Sequence, residues 1–393
     1  MGFSCKQAGA LLAMAVSTTA ANAEGMTFDF SGFGTAAYTW ADTDKAQFVR
    51  DNQLTGADRT GSAEVDSLFG VQGTVHLSSS ISATAQVLMR RVTTQDYQLD
   101  VPVAFVKDSL TNDFAVRIGR LPLPLFMISD YRLVGFANTF IRPPQEVYGR
   151  APLYTINGAD MLYSHSFGAI EVNSQLYYGG SELIGNGFVS TQKKEFGGNI
   201  SVALGPLTLR YGRMINHATL VSGADPLIAG IRAAGFTALA DQLSGVDRAS
   251  SFTGFGASLD WHNVLVQAES TDAKSGGYSG SSRGQYALVG YRIRKFTPYA
   301  IYSVHKVTSP TSDSTIPQVG PLLPLALGVN AILGGPDDQH STSGGIRWDF
   351  RDSMDLKLQV DHVSFQGPGL FANVQSGFHS PVTVAGLAVD FVF

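Results

Sequence analysis

The sequence predicts an all-β chain: an antiparallel up-and-down barrel of about 16 strands that crosses a bilayer. Three observations carry this. Apolar and polar residues alternate with period two through most of the chain, the mark of strands with two unlike faces. The segments between them switch regularly from tight turns to long loops, as in barrels with short periplasmic turns and longer outer loops. The chain also opens with a secretory-type leader.

The leader comes first. Lys6 gives a positive start, Ala8–Val16 an apolar core, and Ala21-Asn22-Ala23 a small-residue cleavage site. The expected division is therefore 1–23 as signal peptide and 24–393 as the barrel domain. Cys5, the only cysteine, leaves with the leader, so a disulfide framework and thiolate chemistry are excluded. It precedes the apolar core, which argues against a lipoprotein attachment site. Removing Lys6 takes the net charge from −5 to −6, the wrong sign for nucleic-acid binding. No run approaches the roughly 20 apolar residues of a spanning helix. The most apolar interior stretch, Pro321–Leu333, is too short and carries Pro324.

Beyond Glu24 the strands follow. Phe114, Val116 and Ile118 alternate with Ala115, Arg117 and Gly119; Leu207, Leu209 and Tyr211 with Thr208, Arg210 and Gly212. Leu356, Leu358 and Val360 alternate with Asp355, Lys357, Gln359 and Asp361. Such segments begin near Thr27, Ser67, Ile81, Leu99, Asp113, Gly158, Gly168 and Lys193. They resume near Gly205, Ser250, Asn263, Gly284, Phe296, Gln339, Ser353 and Thr383. Most are near the ~10 residues that a tilted strand needs to span a bilayer.

The connections sort into two kinds. Ser78–Ser80, Leu110–Asn112, Phe167-Gly168, Gly205-Pro206, Trp261–Asn263, Lys295–Thr297 and Arg351-Asp352 are tight. Ala41–Asp66, Leu121–Asn157, Asn216–Ala249 and Thr308–Asp338 are long. A soluble β-sandwich would also alternate, but its second face must be buried or highly charged. Loop lengths and leader favour the barrel. Within the fifth outer loop, Pro226–Leu243 has the apolar spacing of a short amphipathic helix that packs on neighbouring loops.

The final strand places Thr383, Ala385, Leu387, Val389, Phe391 and Phe393 on one face, and Val384, Gly386, Ala388, Asp390 and Val392 on the other. A barrel must close, so this strand should pair with Thr27–Trp40. Phe28, Phe30, Phe33, Tyr38, Trp40, Trp261, Trp348, Phe391 and Phe393 sit near strand ends, where interfacial girdles place aromatic rings. Ordinary sheet packing is the alternative to the girdle, which is the favoured reading.

Leader, alternating strands, a long third outer loop and terminal Phe393 resemble the Gram-negative outer-membrane porins, of general-diffusion type, across the whole mature chain. The resemblance implies a trimer in outer-membrane lipid. It implies that the barrel-assembly machinery reads the terminal Phe, and that the third loop folds into the lumen and narrows it. Leu121–Asn157 occupies that position. It has five prolines, no surviving periodicity and too much Leu, Ile, Phe and Tyr for disorder. Its core, Arg142-Pro143-Pro144-Gln145-Glu146-Val147-Tyr148-Gly149, departs from the acidic PEFGG-like motif of many general porins.

For a pore the chemistry is electrostatic. By alternation Arg90, Arg117, Arg210, Arg292, Arg294, Arg347 and Lys357 face the lumen, opposed by Glu171, Asp260, Glu269, Asp349, Asp355 and Asp361. Arg or Lys on the lipid face near midplane would cost roughly 2–4 kcal/mol. These charges either line the water path or pair in structural ladders. In the third loop, Arg132, Arg142 and Arg150 oppose Asp130 and Glu146. One reading is a mixed constriction, with Arg142 and Glu146 stiffened by adjacent prolines; the other is that these charges pin the loop to the wall.

Enzyme signals are weak. Gly280-Ser281-Ser282-Arg283-Gly284 matches G-x-S-x-G but opens a strand rather than joining a strand to a helix. The eight histidines are scattered without metal-ligand spacing, so neither metal nor cofactor is expected. The expected function is passive diffusion of ions and small hydrophilic solutes. The alternatives are a barrel lipid hydrolase, with His165, His262 or His362 serving a serine, and a surface adhesin using its long loops.

Overall fold

Period-two alternation becomes, in the computed structural model, a closed ring of sixteen antiparallel strands. The structure describes residues 26–50, 53–93, 96–149, 153–185, 187–335 and 338–393; the expected leader, 1–23, lies outside them. The barrel strands are β1 (Thr27–Ala41), β2 (Leu68–His76), β3 (Ile81–Arg90), β4 (Gln98–Ser109), β5 (Phe114–Pro122), β6 (Thr155–Phe167), β7 (Ile170–Gly185) and β8 (Phe188–Leu204). They continue as β9 (Leu207–Ser222), β10 (Arg248–Trp261), β11 (Val264–Ser275), β12 (Ser282–Tyr291), β13 (Phe296–Val307), β14 (Gln339–Arg351), β15 (Met354–Phe365) and β16 (Val382–Val392).

Each strand pairs with its sequence neighbours, and β16 closes on β1 in the register Phe33↔Val392 through Ala41↔Val384. No backbone edge is left open, the condition for strands to cross a bilayer. At one end, tight turns join the hairpins. At the other are eight outer connections: 42–67, 91–97, 123–154, 186–187, 223–247, 276–281, 308–338 and 366–381, called L1 to L8.

The two faces of the wall differ as alternation requires. Ile118, Leu176, Tyr178, Phe255, Val289 and Leu358 point outwards and are exposed, with Ile118 at 67%. Their neighbours Arg117, Gln175, Tyr286 and Lys357 point inwards against loop residues or other wall groups. A bulge shifts this parity on β8. It lies near Lys194 (φ 52°) and slips the register of β8 against both β7 and β9. Gln192 and Glu195 are consequently both buried, while Lys193 and Lys194 between them are exposed. The bulge explains why alternation alone starts this strand near Lys193 instead of Phe188.

The seam is shaped by glycine. The rings of Phe393 and Phe391 lie over Gly32 and Gly34 of β1, where a Cβ would meet them at 2.1 and 2.4 Å. Phe30, Phe69, Phe391 and Phe393 form a tilted and stacked cluster on the outer face. Phe33 corrects the aromatic-girdle expectation. It falls on the inward parity of β1 and is buried, because it stands one residue out of step with Phe28 and Phe30.

Outer loops fold on each other. In L1 and L8, Gln47–Phe48 pairs with Phe371–Ala372, over a core that includes Phe48, Val65, Val363 and Phe365. The expected single helix 226–243 is two helices, Asp225–Ala233 and Thr237–Leu243. Gly235, at φ 92°, supplies the left-handed residue that ends the first. Ile228, Ile231, Leu239 and Leu243 then pack on Ile316, Ala326 and Val329 of L7, whose apolar stretch forms the helix Leu323–Leu333. Among the described residues no helix is long and apolar enough to cross a membrane.

Candidate pore constriction

L3 leaves β5 through Pro122 and Pro124, which deny it further ladder donors. It turns inwards. Phe126, Ile128, Phe140, Val147 and Tyr148 form an apolar core with inward wall residues Tyr177 (β7), Met214 (β9), Phe252 (β10), Tyr286 and Leu288 (β12) and Ile301 (β13). Phe126 and Phe140 are almost completely enclosed. Fully burying such side chains is worth roughly 1.5–3 kcal/mol each, which offsets part of the entropy of ordering the loop.

Polar pins carry the loop across the lumen to the opposite wall. Arg142 donates to both carboxylate oxygens of Asp66 (3.2 and 3.3 Å from Nε, 2.8 Å from Nη2) and to Asp361 (2.6 Å). It is 2% exposed. Pro143 and Pro144 then lead into one helical turn, Gln145–Tyr148. There Glu146 accepts from Ser303 (2.8 Å), Gln339 (2.8 Å) and Ser341. Ile141 N–H donates to Gln359 (3.0 Å), Lys357 to Gly135 O (2.7 Å), and Arg347 to Phe136 O and Asn138 O. On the far side Arg210 donates to Pro124 O and Leu125 O, while Glu269 accepts from Met127 N–H (2.7 Å) and from Tyr148. The loop is thus held by strands almost all the way round the barrel.

Two charge effects follow. Burial pushes the Asp66 carboxyl up, but the Arg142 and Arg50 guanidiniums outweigh it and hold its pKa at about 2. Burial, then the Glu269 carboxylate, pushes the Tyr148 phenol up, so it remains a donor.

The expected site residues divide sharply by position. Arg142 and Glu146 are buried in the loop–wall joint. Arg132 is buried, its guanidinium over the Tyr154 ring at 3.3 Å. Asp130 is exposed. Arg150 lies outside the described residues. On the wall, Arg117 is bidentate on Asp160 (2.6–3.2 Å), and Arg292 grips Asp260 (2.6 and 2.8 Å). Arg90 approaches Asp100 at 3.8 Å and stacks over Tyr154. Lys357 bridges Asp355 (3.5 Å) and Asp390 (2.8 Å), with Arg347 on Asp349 and Asp355. Glu171 accepts from Asn173.

Arg294 is a correction. β12 ends at Tyr291, and Arg294 sits exposed in the tight turn at φ 57°, because the alternation was carried past the strand's end. The three histidines considered for hydrolysis are dispersed: His165 pairs with Asp113, His262 occupies a tight turn, and His362 is exposed on β15.

Sequence reasoning missed Asp66, Arg50, Thr39, Gln359 and Tyr148. Tyr148, a tyrosine inside the suspected loop, and Gln359, on the polar face of its strand, carried a local signal. Asp66 is 76 residues from Arg142 and lies in a long loop without periodicity.

No family model and no curated protein matches this chain. Solved structures do. OmpF of Salmonella typhi, in complex with daunomycin, matches with TM-score 0.59 at 11% identity, covering 94% of this chain and 98% of that one. OmpT of Vibrio cholerae in its trimer form matches with TM-score 0.54 at 12% identity, covering 94% and 100%. An anion-selective porin from Comamonas acidovorans matches with TM-score 0.52 at 12% identity, again covering 94% and 100%. At such identities the likeness speaks for architecture, and it spans nearly the full length of both partners. This chain is folded as an outer-membrane porin barrel.

Proposed function

We propose that the protein is an outer-membrane channel for passive diffusion of ions and small hydrophilic solutes, narrowed by L3. The observation that carries the reading is the inward course of L3, pinned from wall strands on both sides of the lumen. A sixteen-strand ring is wide enough for an aqueous path, and an inserted loop reduces that path to a selective one. Arg142 and Glu146 act here as pins. Ion preference falls to charges nearer water, such as the exposed Asp130 in the loop.

Several finer points belong to the same reading. Residues 1–23 direct export and are removed after Ala23. The barrel-assembly machinery recognises the seam strand ending at Phe393. Three copies associate, as the trimer form of Vibrio cholerae OmpT does. The test is single-channel recording of purified protein in a planar bilayer. Stepwise, ohmic conductance in potassium chloride is expected. A correctly folded preparation that never conducts would overturn the channel reading and reopen the adhesin and hydrolase alternatives.

A further inference from the structure

On the outer side, beside Leu125 and Leu153 of L3, a cavity of about 390 Å³ lies between β7–β11 and loops L5 and L6. Its volume falls within the roughly 300–1,000 Å³ of small-ligand sites. Leu125 at the tip of the L3 entry, Met214, Leu220 and Phe252 give it an apolar lining. A general water path has no need of that. Polar groups interrupt this surface, Gln192, Lys274 and several serines among them, and of these Asn216 and Arg248 stand side by side without the pairing seen at most inward polar groups.

Asn216 is 5% exposed, yet its Oδ1 accepts no hydrogen bond among the described residues. A buried carbonyl left unpaired costs about 1–3 kcal/mol, so this group is waiting for a donor. Arg248 has its Nε on Ser244 O (2.7 Å) and no carboxylate partner among the described residues. Most cations inside this barrel are neutralised at close range. Asn216 faces Ser250 and Ala218 faces Arg248 across β9 and β10. Asn216 and Arg248 are therefore diagonal neighbours roughly 7–8 Å apart.

We propose that this vestibule is a binding subsite for small amphipathic carboxylates that carry a hydroxyl or ammonium donor beside an apolar body. The carboxylate accepts from Arg248, the donor satisfies Asn216 Oδ1, and the apolar body rests on Met214, Phe252 and Leu220. The subsite rests on the channel reading and gives it a solute class. Held at the mouth of the constriction, such a solute is concentrated there before it passes L3.

The probe is phenyllactate, added to the outer side during single-channel recording. 3-Phenylpropionate lacks the hydroxyl, lactate lacks the apolar body, and phenethylamine lacks the carboxylate. Phenyllactate is expected to interrupt the current at the lowest concentration of the four. Arg248→Gln should raise its half-blocking concentration about tenfold or more. Asn216→Leu should do the same for phenyllactate while leaving 3-phenylpropionate little changed. Each variant is first checked for heat-dependent electrophoretic migration of a folded barrel, and Asn216→Leu stands alone if Arg248→Gln does not fold. Equal block by phenyllactate and lactate in a conducting channel overturns the subsite and leaves the channel intact. If the protein does not conduct, calorimetric titration of the detergent-solubilised barrel with the same four probes decides the subsite independently, and the same ranking is required.

Discussion

Asp66 is the residue on which the loop–wall joint turns. It is completely enclosed and takes Arg142, Arg50 and Thr39 at once. Because its folded pKa lies below its ordinary value of 3.8, at about 2, the pairing contributes full stability above pH 4. That contribution disappears as pH falls from 3.8 through 2. Acidification across this window should loosen L3, seen as rising current noise and a lower temperature for loss of the folded band. Asp66→Asn should abolish that pH dependence. Arg142→Ala leaves buried Asp361 without its cation and Asp66 with Arg50 alone, and should cost about 3–5 kcal/mol. Its midpoint in guanidinium should fall accordingly, and an unchanged midpoint would show that the joint is not structural. At this scale little was legible beforehand. Arg142 and Glu146 stood out by charge and flanking prolines, but partners 76, 193 and 219 residues away leave no mark in local sequence.

Elements were far more legible, since a strand with one face to lipid and one to polar lumen must write period two along its length. Sixteen starts were visible. The exceptions have physical causes: Lys194, where a bulge inserts one residue and inverts the pattern on β8, and Arg294, where a turn follows without a break in polarity. L3 was recognisable by contrast, being apolar, proline-rich and aperiodic. Its apolar core and polar pins cross the lumen in one continuous piece. Removing residues 132–144 while rejoining the chain with a short Gly-Ser link should therefore leave the wall intact and raise single-channel conductance several-fold. Unchanged conductance in a folded barrel would mean that the resistance lies elsewhere, in the L5–L7 helical cap or the L1–L8 clasp.

For the molecule as a whole, the decisive joint is β1 with β16. Phe393 and Phe391 rest in recesses made by Gly32 and Gly34, inward Thr35 bonds Asp390, and Gly32 and Phe393 exchange backbone hydrogen bonds of 2.8 and 3.0 Å. Deleting Phe393 removes one ring and two of those bonds. The truncated chain should reach the periplasm normally but yield less heat-stable barrel in the membrane fraction. Equal yields would show that the seam closes without it.

That seam is also the one strand pairing in the ring that is not between consecutive strands. Every other hairpin joins chain segments that are neighbours in sequence, whereas Thr35 and Asp390 stand 355 residues apart. The other fifteen pairings can accumulate one by one, each closing no more than a single turn or outer loop. The last must gather the entire chain, and until it does, both terminal strands present unsatisfied backbone to whatever surrounds them. Half-made barrels should thus be scarce and short-lived. Once formed, the ring has no free end from which to peel. Its disassembly must begin by breaking a complete ladder rather than a terminal residue, which makes persistence a matter of barrier height more than of net stability.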